Sequence, residues 1–502
     1  MKIKRTILFL LIAATILSMF VACSNSPQAP GSTTAAEEKD TVPAKERGTD
    51  EEGYLLDALP DNIDYGQKDV KIYAWNNIFN EFEPGAAETD IVSYAVFKRN
   101  AMVEERYGVN LVYSQPACDY NRQVQWVSNL ETILMSGGQD DTPDLCAGYS
   151  MTNMTLARDG YLENLLECNY LDFSNPWWPD SMIGEASVGD KLYGASGDIA
   201  ISFFSELYGY FANINLWTEY QINGNLIEDV DDGSWTFEKM FTYANQVFRD
   251  KNADGKDPSD TFGLGLSVVP LDTIIFGSQM KFITTNENGV FQIGADVEDP
   301  ERGSDLIDLI TKNIWNEDSC IYADTTDGLK QAFIEGRVLF YPTTIGGLGQ
   351  ARDSGLDYDY YVLPSPKYDD VQKTYSSNVG FQMTMWCIPK NGRDTDMPAL
   401  IMEALASAAY RTTTPAFYEK KVRLRFAGEE EVNYRMFDLL RNTACFDKTR
   451  FLYRLLEDRS MNPISTMRSC IANDSATWAS KIATIRMKLA YFLHDEITPM
   501  FQ

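Results

Sequence analysis

The hydrophobic pattern of the first part of the chain switches between two periods, one typical of strands and one typical of helices. Short apolar and β-branched runs at 68–75, 108–114 and 144–149 predict strands. The segments 92–107 and 123–135 between them carry apolar residues at helical spacing. Strands that alternate with helices form parallel sheets with right-handed crossovers, so this region is predicted to be α/β.

The same alternation continues from about residue 209 to the C-terminus. Residues 209–216 are typical of a strand that enters a helix, and Thr236 is a good N-cap for a helix whose apolar face runs to Phe248. Further strands are predicted at 338–341, 360–363 and 382–388. Further helices are predicted at 329–335, 397–410, 432–440 and 476–493. A second α/β region therefore follows the first.

The first 23 residues have the features of a bacterial export signal. Basic Lys2, Lys4 and Arg5 precede an apolar stretch that ends at Cys23. The ending Phe20-Val-Ala-Cys23 resembles a lipobox, in which the cysteine thiol is lipidated and becomes the first residue of the mature protein. An ordinary signal peptide or a membrane anchor is the alternative. The resemblance implies lipid anchoring at the extracytoplasmic face of the bacterial cell membrane.

Residues 24–60 are rich in Ser, Thr, Pro, Ala, Gly and charged residues and contain few large apolar ones. A segment of this composition does not bury enough surface to offset the entropy of ordering it. We therefore predict a flexible tether over 24–60, and a globular region that begins at residue 61.

Charge and composition exclude several kinds of partner and site. The 502 residues include 73 acidic and 43 basic side chains, for a formal net charge of −30. Such a polyanion repels nucleic acid, which is therefore not a predicted partner. His494 is the single histidine, so a site that needs two imidazoles is excluded. The cysteines beyond Cys23 are scattered without a CxxC pair, which predicts mostly buried free thiols.

Several segments resemble, in the same order, the carbohydrate-type (family 1) extracellular solute-binding proteins of bacterial ABC transporters. The most specific part is Trp235-Thr-Phe-Glu-Lys239, followed by Asp250-Lys-Asn-Ala-Asp-Gly-Lys256 and Phe262-Gly-Leu-Gly265. The other matching segments lie at 104–111, 189–198, 211–217, 336–342, 362–367 and 411–418. The resemblance extends from about residue 68 to 418.

This resemblance implies a two-lobed, periplasmic-binding-protein-like fold of type II, with a ligand cleft between the lobes. The implied N-terminal lobe comprises 61–198 plus 380–428, and the C-terminal lobe 205–376 plus 429–502. Crossings between the lobes are expected near 196–205, near 377–381 and near Gly428. The implied protein is a monomer that captures a small carbohydrate and delivers it to an ABC transporter permease. It is not an enzyme and requires no cofactor.

Candidate ligand contacts are the aromatic and polar residues beyond the ends of predicted strands and at the crossings, because ligands of open α/β sheets bind there. An aromatic face stacks on a sugar ring, and amide, hydroxyl and carboxylate groups bind sugar hydroxyls. The candidates are Trp75, Asn76, Tyr149, Ser150, Asp198, Thr343, Thr344 and Trp386. For each of them a core, turn or hinge position is the alternative. Trp177 and Trp178 are predicted to pack in the core.

One loop has calcium-type spacing. Asp250, Asn252 and Asp254 occupy the first, third and fifth positions of such a loop, and Lys256 could offer its carbonyl at the seventh. The acid of the last position is missing, and Asp260, one place early, could substitute for it. A structural Ca²⁺ is therefore one hypothesis, and an Asx-rich turn is the other.

Two other classes of function stay open at this stage. The many acidic residues could include the carboxylate pair of a secreted glycoside hydrolase, although no pair stands out. A surface lipoprotein that binds glycans without transport is the third class. The sequence does not name the sugar.

Overall fold

The computed structural model describes residues 47–502, except 78, 88, 137, 139–140, 324–325 and 428–430. The predicted export signal with Cys23, the tether up to residue 46 and the crossing at Gly428 lie outside the described residues. The rest belongs to one compact unit of the chain.

The strands of the described residues are short and evenly distributed along the chain. They are β1 (Lys68–Ala74), β2 (Val109–Ser114), β3 (Leu145–Tyr149), β4 (Tyr208–Asn213), β5 (Phe248–Arg249), β6 (Thr261–Ser267), β7 (Ile283–Thr285), β8 (Phe291–Ile293), β9 (Cys320–Ala323), β10 (Val338–Thr344), β11 (Tyr360–Leu363), β12 (Ser377–Asn378), β13 (Thr384–Cys387) and β14 (Ala444–Cys445). Together they form two larger sheets and two pairs of short strands.

The longer α-helices separate these strands or follow the last of them. They span Ile91–Tyr107, Gln123–Ser136, Phe237–Ala244, Glu301–Asn316, Asp327–Ile334, Ile345–Asp353, Asp396–Arg411, Glu431–Asn442, Pro463–Ala472 and Trp478–Phe492. Shorter α-helices span Asn153–Arg158, Asp180–Ala186, Ile201–Ser205, Ile214–Glu219, Leu226–Asp231, Asp272–Gly277, Ala295–Glu298, Thr413–Pro415, Lys448–Phe451 and Tyr453–Glu457. No helix within the described ranges has both the length and the apolar character needed to cross a membrane.

The first large sheet has the strand order β13-β3-β1-β2. Strand β1 is parallel to β2 and to β3, with Ile72 opposite both Tyr113 and Leu145. Strand β13, from much later in the chain, is antiparallel to β3. The parallel unit predicted from the first part of the sequence is therefore confirmed, and a returning strand extends it.

The second large sheet has the order β11-β4-β10-β6-β5, and β9 also pairs with β6. Strand β6 is parallel to β10 and β9, whereas β4 is antiparallel to β10 and β11. The sheet is mixed and is interleaved with helices, which confirms the α/β prediction for this region. Because β4 runs against β10, its first residue, Tyr208, lies opposite the last residue of β10, Thr344.

Local capping explains where the helices begin and end. Asp90 accepts hydrogen bonds from the N–H groups at the start of helix Ile91–Tyr107, and Gly108, at φ 58°, ends it. Thr236 caps helix Phe237–Ala244 as predicted. That helix ends before Phe248, the last residue of its predicted apolar face, because Phe248 belongs to β5 and pairs with Phe262.

Two segments cross between the sheets side by side. The first leaves Ala195, which bridges Trp386 of the first sheet, and passes through helix Ile201–Ser205 to β4. The second returns through β12 to β13. They meet where Leu207 and Val379 form an antiparallel bridge. The bounds that the sequence resemblance implies for the two lobes stay a prediction.

A third connection follows helix Asp396–Arg411. The π-helix Ala416–Ala427 contacts helix Ile91–Tyr107 beside the first sheet. It also contacts helix Glu431–Asn442, which lies against β11 of the second sheet. The crossing expected near Gly428 therefore follows a helix that lies beside the first sheet and precedes a helix that lies beside the second.

The buried carboxylate of Glu81 connects the first two crossings to the first sheet. It accepts hydrogen bonds from the N–H of Ser202 at 2.8 Å and the Ser202 hydroxyl at 2.9 Å. It also accepts one from the hydroxyl of Thr384, the first residue of β13. Burial raises the pKa of the Glu81 carboxyl, and these hydrogen bonds oppose the shift. One side chain thus holds three distant segments together.

A second buried acid explains the adjacent tryptophans. The indole N–H groups of Trp177 and Trp178 donate to Glu403 at 3.0 and 2.9 Å, and Asn175 donates to it at 2.7 Å. Both indoles are fully buried, which confirms their predicted place in the core. Burial raises the pKa of Glu403 to about 7.

The cysteines beyond Cys23 are all free thiols. Six are buried and Cys445 is partly exposed. This outcome confirms the expectation from their scattered spacing.

Residues 47–60 differ from the tether predicted for them. The Asp57 carboxylate, 7% exposed, accepts two hydrogen bonds of 2.9 Å from Arg106 and one of 2.8 Å from Ser407. Tyr54 packs edge-on against Tyr410, with ring centroids 5.5 Å apart. Composition alone predicts disorder for this segment, but one buried ion pair and a few apolar contacts anchor it to the lobe.

Removing this anchored segment should destabilise the folded protein. A chain that begins at residue 61 loses Asp57 and leaves the half-buried Arg106 without its main partner, so its free energy of unfolding should fall by about 3 kcal/mol. Urea unfolding against a chain that begins at residue 47 measures the difference. Equal stabilities would show that the segment contributes nothing to folding.

Candidate functional site

A cavity of about 620 Å³ lies where the two large sheets and the C-terminal helices meet. Its wall includes the end of β3, the first crossing, the start of β4, the loop after β6 and the second crossing. The lining residues are Tyr120, Tyr149, Met151, Glu206, Tyr208, Val268, Val269, Phe381, Gln382, Tyr453, Glu457, Ser465, Arg468, Ser469 and Ala472. This volume is in the usual range for small-molecule sites.

Strand direction places these residues at one edge of each sheet. Tyr149 is the last residue of β3, and Val268 directly follows β6. Tyr208 is the first residue of β4, but it lies at the same edge because β4 runs antiparallel to its neighbours. The carboxyl ends of the parallel strands from both sheets therefore face one cavity, which is the location expected for a ligand in such folds.

Aromatic rings form much of the wall. Phe381 and Tyr453 pack edge-to-face with ring centroids 4.8 Å apart, although they belong to the second crossing and a C-terminal helix. The guanidinium of Arg450 lies 3.8 Å from the centroid of Phe381. The ring of Trp75 packs edge-to-face against the ring of Tyr149, with centroids 5.3 Å apart. Fixed aromatic surfaces next to polar groups are suited to the apolar faces of sugar rings.

Glu206 is the buried acid of this cavity. It is 7% exposed, and desolvation raises the pKa of its carboxyl to about 7. The positive charge of Arg450 and a hydrogen bond from the backbone of Gln382 oppose this shift and lower the pKa. Near neutral pH the group is therefore partly protonated, so it can both donate to and accept from a ligand hydroxyl.

A buried ion cluster positions the C-terminal helices against the cavity. Asp272 accepts from Arg450 at 2.7 Å and from Arg468 at 2.8 Å. Arg468 also donates to the Tyr453 hydroxyl at 3.2 Å, and that hydroxyl is 2.9 Å from the Ser465 hydroxyl. The cluster fixes the aromatic ring of Tyr453 at the cavity wall.

Two of the residues predicted from the sequence lie at the cavity or next to it. Tyr149 lines it directly. The Ser150 hydroxyl donates to the carbonyl of Phe381 at 2.7 Å, so it braces the second crossing. Trp75 and Asn76 lie behind this wall: the Trp75 indole donates to Thr384 at 2.8 Å, and the exposed Asn76 accepts from the N–H of Cys118.

The other predicted contacts occupy the alternative positions that the sequence left open. Asp198 is buried at the hinge, 4.0 Å from Arg441, and burial raises the pKa of its carboxyl to about 6. Trp386 is fully buried on β13, opposite Ala147 of β3. Thr344 caps helix Ile345–Asp353 by accepting from Gly347, and Thr343 precedes it at the end of β10. None of these four lines the cavity described above.

Sequence reasoning missed most of the cavity wall. One signal was available for Glu206, which is the only charged residue between Asp198 and Glu219 and falls just beyond the predicted first crossing. A lone acid in an apolar run needs a special environment. Tyr453 and Arg468 carry no comparable signal, because only the packing of the C-terminal helices brings them to the cavity.

The calcium-type loop is satisfied by its own hydrogen bonds. Asp250 accepts from the backbone N–H groups of Asn252 and Ala253, and the Asn252 amide donates to Asp254 at 2.9 Å. The buried Asp260 accepts two backbone N–H groups at 3.0 Å.

Lys256 donates its ammonium group to the carbonyls of Ile314, Glu317 and Cys320. Across the described ranges no group of three or more His, Cys, Asp and Glu residues could hold a metal ion. The loop side chains therefore form an Asx-rich turn, and calcium binding stays a prediction.

The fold is shared with known binding proteins. No family model and no curated protein sequence matches the chain. The galacto-N-biose-/lacto-N-biose I-binding protein of the ABC transporter from Bifidobacterium longum, in complex with lacto-N-biose, matches with a TM-score of 0.58 at 11% identity. That match covers 86% of this chain and 98% of the other.

Two further structures match with a TM-score of 0.55. The ABC substrate-binding protein Lmo0181 from Listeria monocytogenes, in complex with cycloalternan, is 12% identical over 84% of this chain and 99% of the other. UgpB from Mycobacterium tuberculosis, in complex with glycerophosphocholine, is 13% identical over 86% of this chain and 100% of the other. The chain therefore has the two-lobed periplasmic-binding-protein-like fold, as the sequence resemblance implied.

Replacing Glu206 by Gln should change how stability depends on pH. Folding raises the pKa of the Glu206 carboxyl from 4.5 to about 7, so its contribution to stability is full below pH 4.5 and is lost as pH rises through 7. The Glu206→Gln variant has no carboxyl to ionise and so does not lose this stability. Its free energy of unfolding should therefore rise by about 3 kcal/mol relative to that of the wild type between about pH 5 and pH 8.

Urea unfolding at the two pH values measures this gain. The exposed substitution Glu238→Gln is the control and should follow the wild type. A Glu206→Gln variant with the pH dependence of the wild type would contradict the raised pKa.

Calcium should not stabilise the protein. Because the loop oxygens already accept hydrogen bonds, about 1 mM CaCl2 or EDTA should leave the melting temperature of the full-length chain unchanged. The Asp254→Asn variant provides the comparison. A calcium-dependent rise in the wild type that this variant loses would support the calcium hypothesis instead.

Proposed function

We propose that this protein is an extracytoplasmic solute-binding protein that captures a sugar or oligosaccharide in the interlobe cavity. The observation that carries the proposal is the composition of that cavity. It places four aromatic rings, Tyr149, Tyr208, Phe381 and Tyr453, around the carboxyl of Glu206, with both hydroxyl and amide groups nearby. Aromatic faces with a few fixed polar groups are the usual means of binding a sugar.

The structural neighbours support this ligand class. Two of them hold lacto-N-biose and cycloalternan, which are carbohydrates. The cavity volume of about 620 Å³ is large enough for more than one sugar ring. The third holds glycerophosphocholine, so the fold alone does not select the ligand.

The proposed mechanism is closure of the lobes around the ligand and delivery to an ABC importer. Paired crossings such as those joined at Leu207 and Val379 are suited to a hinge, since few backbone angles need to change. Outside the crossings, a contact between the two lobes is the hydrogen bond that the Tyr193 hydroxyl donates to the carbonyl of Met500 at 2.7 Å. A ligand that contacts both lobes shifts the equilibrium towards the closed form.

The remaining parts of the proposal come from the sequence. Lipidation at Cys23 would hold the protein at the outer face of the cell membrane, next to its permease. The protein would act as a monomer, in which one chain provides both walls of the cleft.

One observation favours a second candidate, a glycoside hydrolase. Glu206 and Glu457 line the same cavity, and burial raises the pKa of Glu206 to about 7, as in a general acid. However, Glu457 accepts a hydrogen bond from Ser465 at 2.7 Å, and the structural neighbours are binding proteins. The two candidates differ in whether the sugar is recovered intact.

A sugar that binds this cavity should stabilise the protein. A thermal-shift screen of mono- and oligosaccharides, with polyols and peptides as controls, should give a selective rise in melting temperature, about 2.7 kcal/mol of stabilisation at a hundred times the Kd. Chromatography after incubation should recover the sugar unchanged. Product formation would favour the hydrolase instead.

The variants Tyr149→Ala and Tyr453→Ala should each weaken binding of the selected sugar about tenfold in calorimetry, because each loses a stacking surface. Tyr491→Ala is the matched control, since Tyr491 is 66% exposed on a helix outside the cavity. If no sugar binds, or if all three variants bind like the wild type, the carbohydrate proposal is wrong.

A further inference from the structure

A second cavity of about 530 Å³ lies between helix Asp180–Ala186 and the segment that leads into β7. Residues of β14 and its C-terminal extension, including Phe446 and Asp447, form its base. It therefore draws on both lobes and is not part of the carbohydrate cavity described above.

A small pocket lies beside both cavities and shares Phe381 with the first, and Phe446 and Asp447 with the second. It has a volume of about 20 Å³ and is lined by Phe381, Phe446 and Arg450, among others. A space of that size holds about one water molecule. The two larger cavities have no lining residue in common, so the second is a distinct pocket.

The base of the second cavity contains an incompletely satisfied carboxylate. Asp447 is 2% exposed. Its Oδ1 accepts from the N–H of Thr449 at 2.8 Å, whereas its Oδ2 makes no hydrogen bond with the described residues. The nearest cation to Oδ2 is the Lys281 ammonium, 3.5 Å away. This ion pair is long, so a closer cationic donor would satisfy the oxygen better.

The charges around the cavity leave a net negative charge. Asp180, Glu185 and Asp447 supply three carboxylates to its wall. Lys281 lies 3.6 Å from Glu185 as well as near Asp447, and Lys448 lies 3.4 Å from Glu185. The three carboxylates exceed the two ammonium groups by one negative charge, and Asp180 is the exposed one of the three. Burial raises the pKa of Asp447, which is consistent with incomplete neutralisation.

The size and apolar walls of the cavity indicate what kind of cation fits. Phe276, Met280 and Phe446 form apolar parts of the wall. The volume is far larger than a bare ion needs. In the part of the chain that the structure describes, no side-chain cluster is suited to a metal. Apolar walls and a buried carboxylate together suit an organic ammonium ion, whose carbon skeleton contacts the walls while its charge meets the carboxylate.

We propose that this second cavity is a binding site for an organic ammonium ligand, with Asp447 as its principal anion. Lys281, 46% exposed, lies 3.5 Å from the Asp447 carboxylate and would compete with the ligand charge for it. Because the ligand charge would sit between the lobes, binding would also favour their closure. The site does not depend on sugar binding in the first cavity.

Calorimetry with the full-length chain tests the proposal with two probes that differ in charge. Phenethylammonium chloride carries the ammonium group, and 2-phenylethanol has a similar shape without the charge. The ammonium should bind saturably, and at least tenfold more tightly than the alcohol. Equal affinities, or no saturable binding of the ammonium, would overturn the proposal.

Two substitutions locate the binding. Asp447→Asn should weaken ammonium binding at least tenfold, because the principal anion is lost. Lys281→Met should tighten it several-fold, because a competing cation is removed, and urea unfolding of this variant checks that it is folded. Tyr491→Ala should bind the ammonium like the wild type.

The Lys281→Met variant keeps the test valid even if Asp447→Asn fails to fold. Affinity unchanged by Lys281→Met would place the ammonium elsewhere and overturn the assignment. Failure of this test leaves sugar binding to the first cavity unaffected, since that is measured with uncharged sugars and with variants of Tyr149 and Tyr453.

Discussion

The arrangement of the whole molecule depends on the buried carboxylate of Glu81. It binds Ser202 in the first crossing and Thr384 at the end of the second, so it sets both crossings against the first sheet. Glu206 lies four residues beyond Ser202, and Phe381 lies three residues before Thr384. The position of the cavity wall therefore follows from one desolvated acid, whose burial is offset by several hydrogen bonds.

Buried acids recur where the lobes meet, although the chain as a whole carries a large negative charge. Asp198 lies at the hinge, Glu206 in the first cavity and Asp447 in the second, and burial raises the pKa of each. Their partners differ, because Arg450 faces Glu206 whereas Lys281 faces Asp447. Desolvation thus favours the neutral form of each carboxyl, and a different cation opposes it at each site.

The candidate ligand residues show where reasoning from strand ends succeeds. Tyr149 follows from it, because the residue that ends a parallel strand faces the cleft edge. Trp75 follows the neighbouring strand, but its ring turns away to reach the hydroxyl of Thr384. The rule identifies the correct edge of the sheet, whereas the orientation of each side chain depends on a partner from a distant part of the sequence.

The sequence by itself determined the main strands and helices of both regions, and with them the α/β class. Those features depend on periodicity and on caps such as Asp90 and Gly108, which act within a few residues. Only the tertiary structure decided which side chains share a cavity. Tyr453 and Arg468 join Tyr149 and Glu206 because the C-terminal helices dock across both lobes, and no local pattern encodes contacts between residues so far apart in the chain.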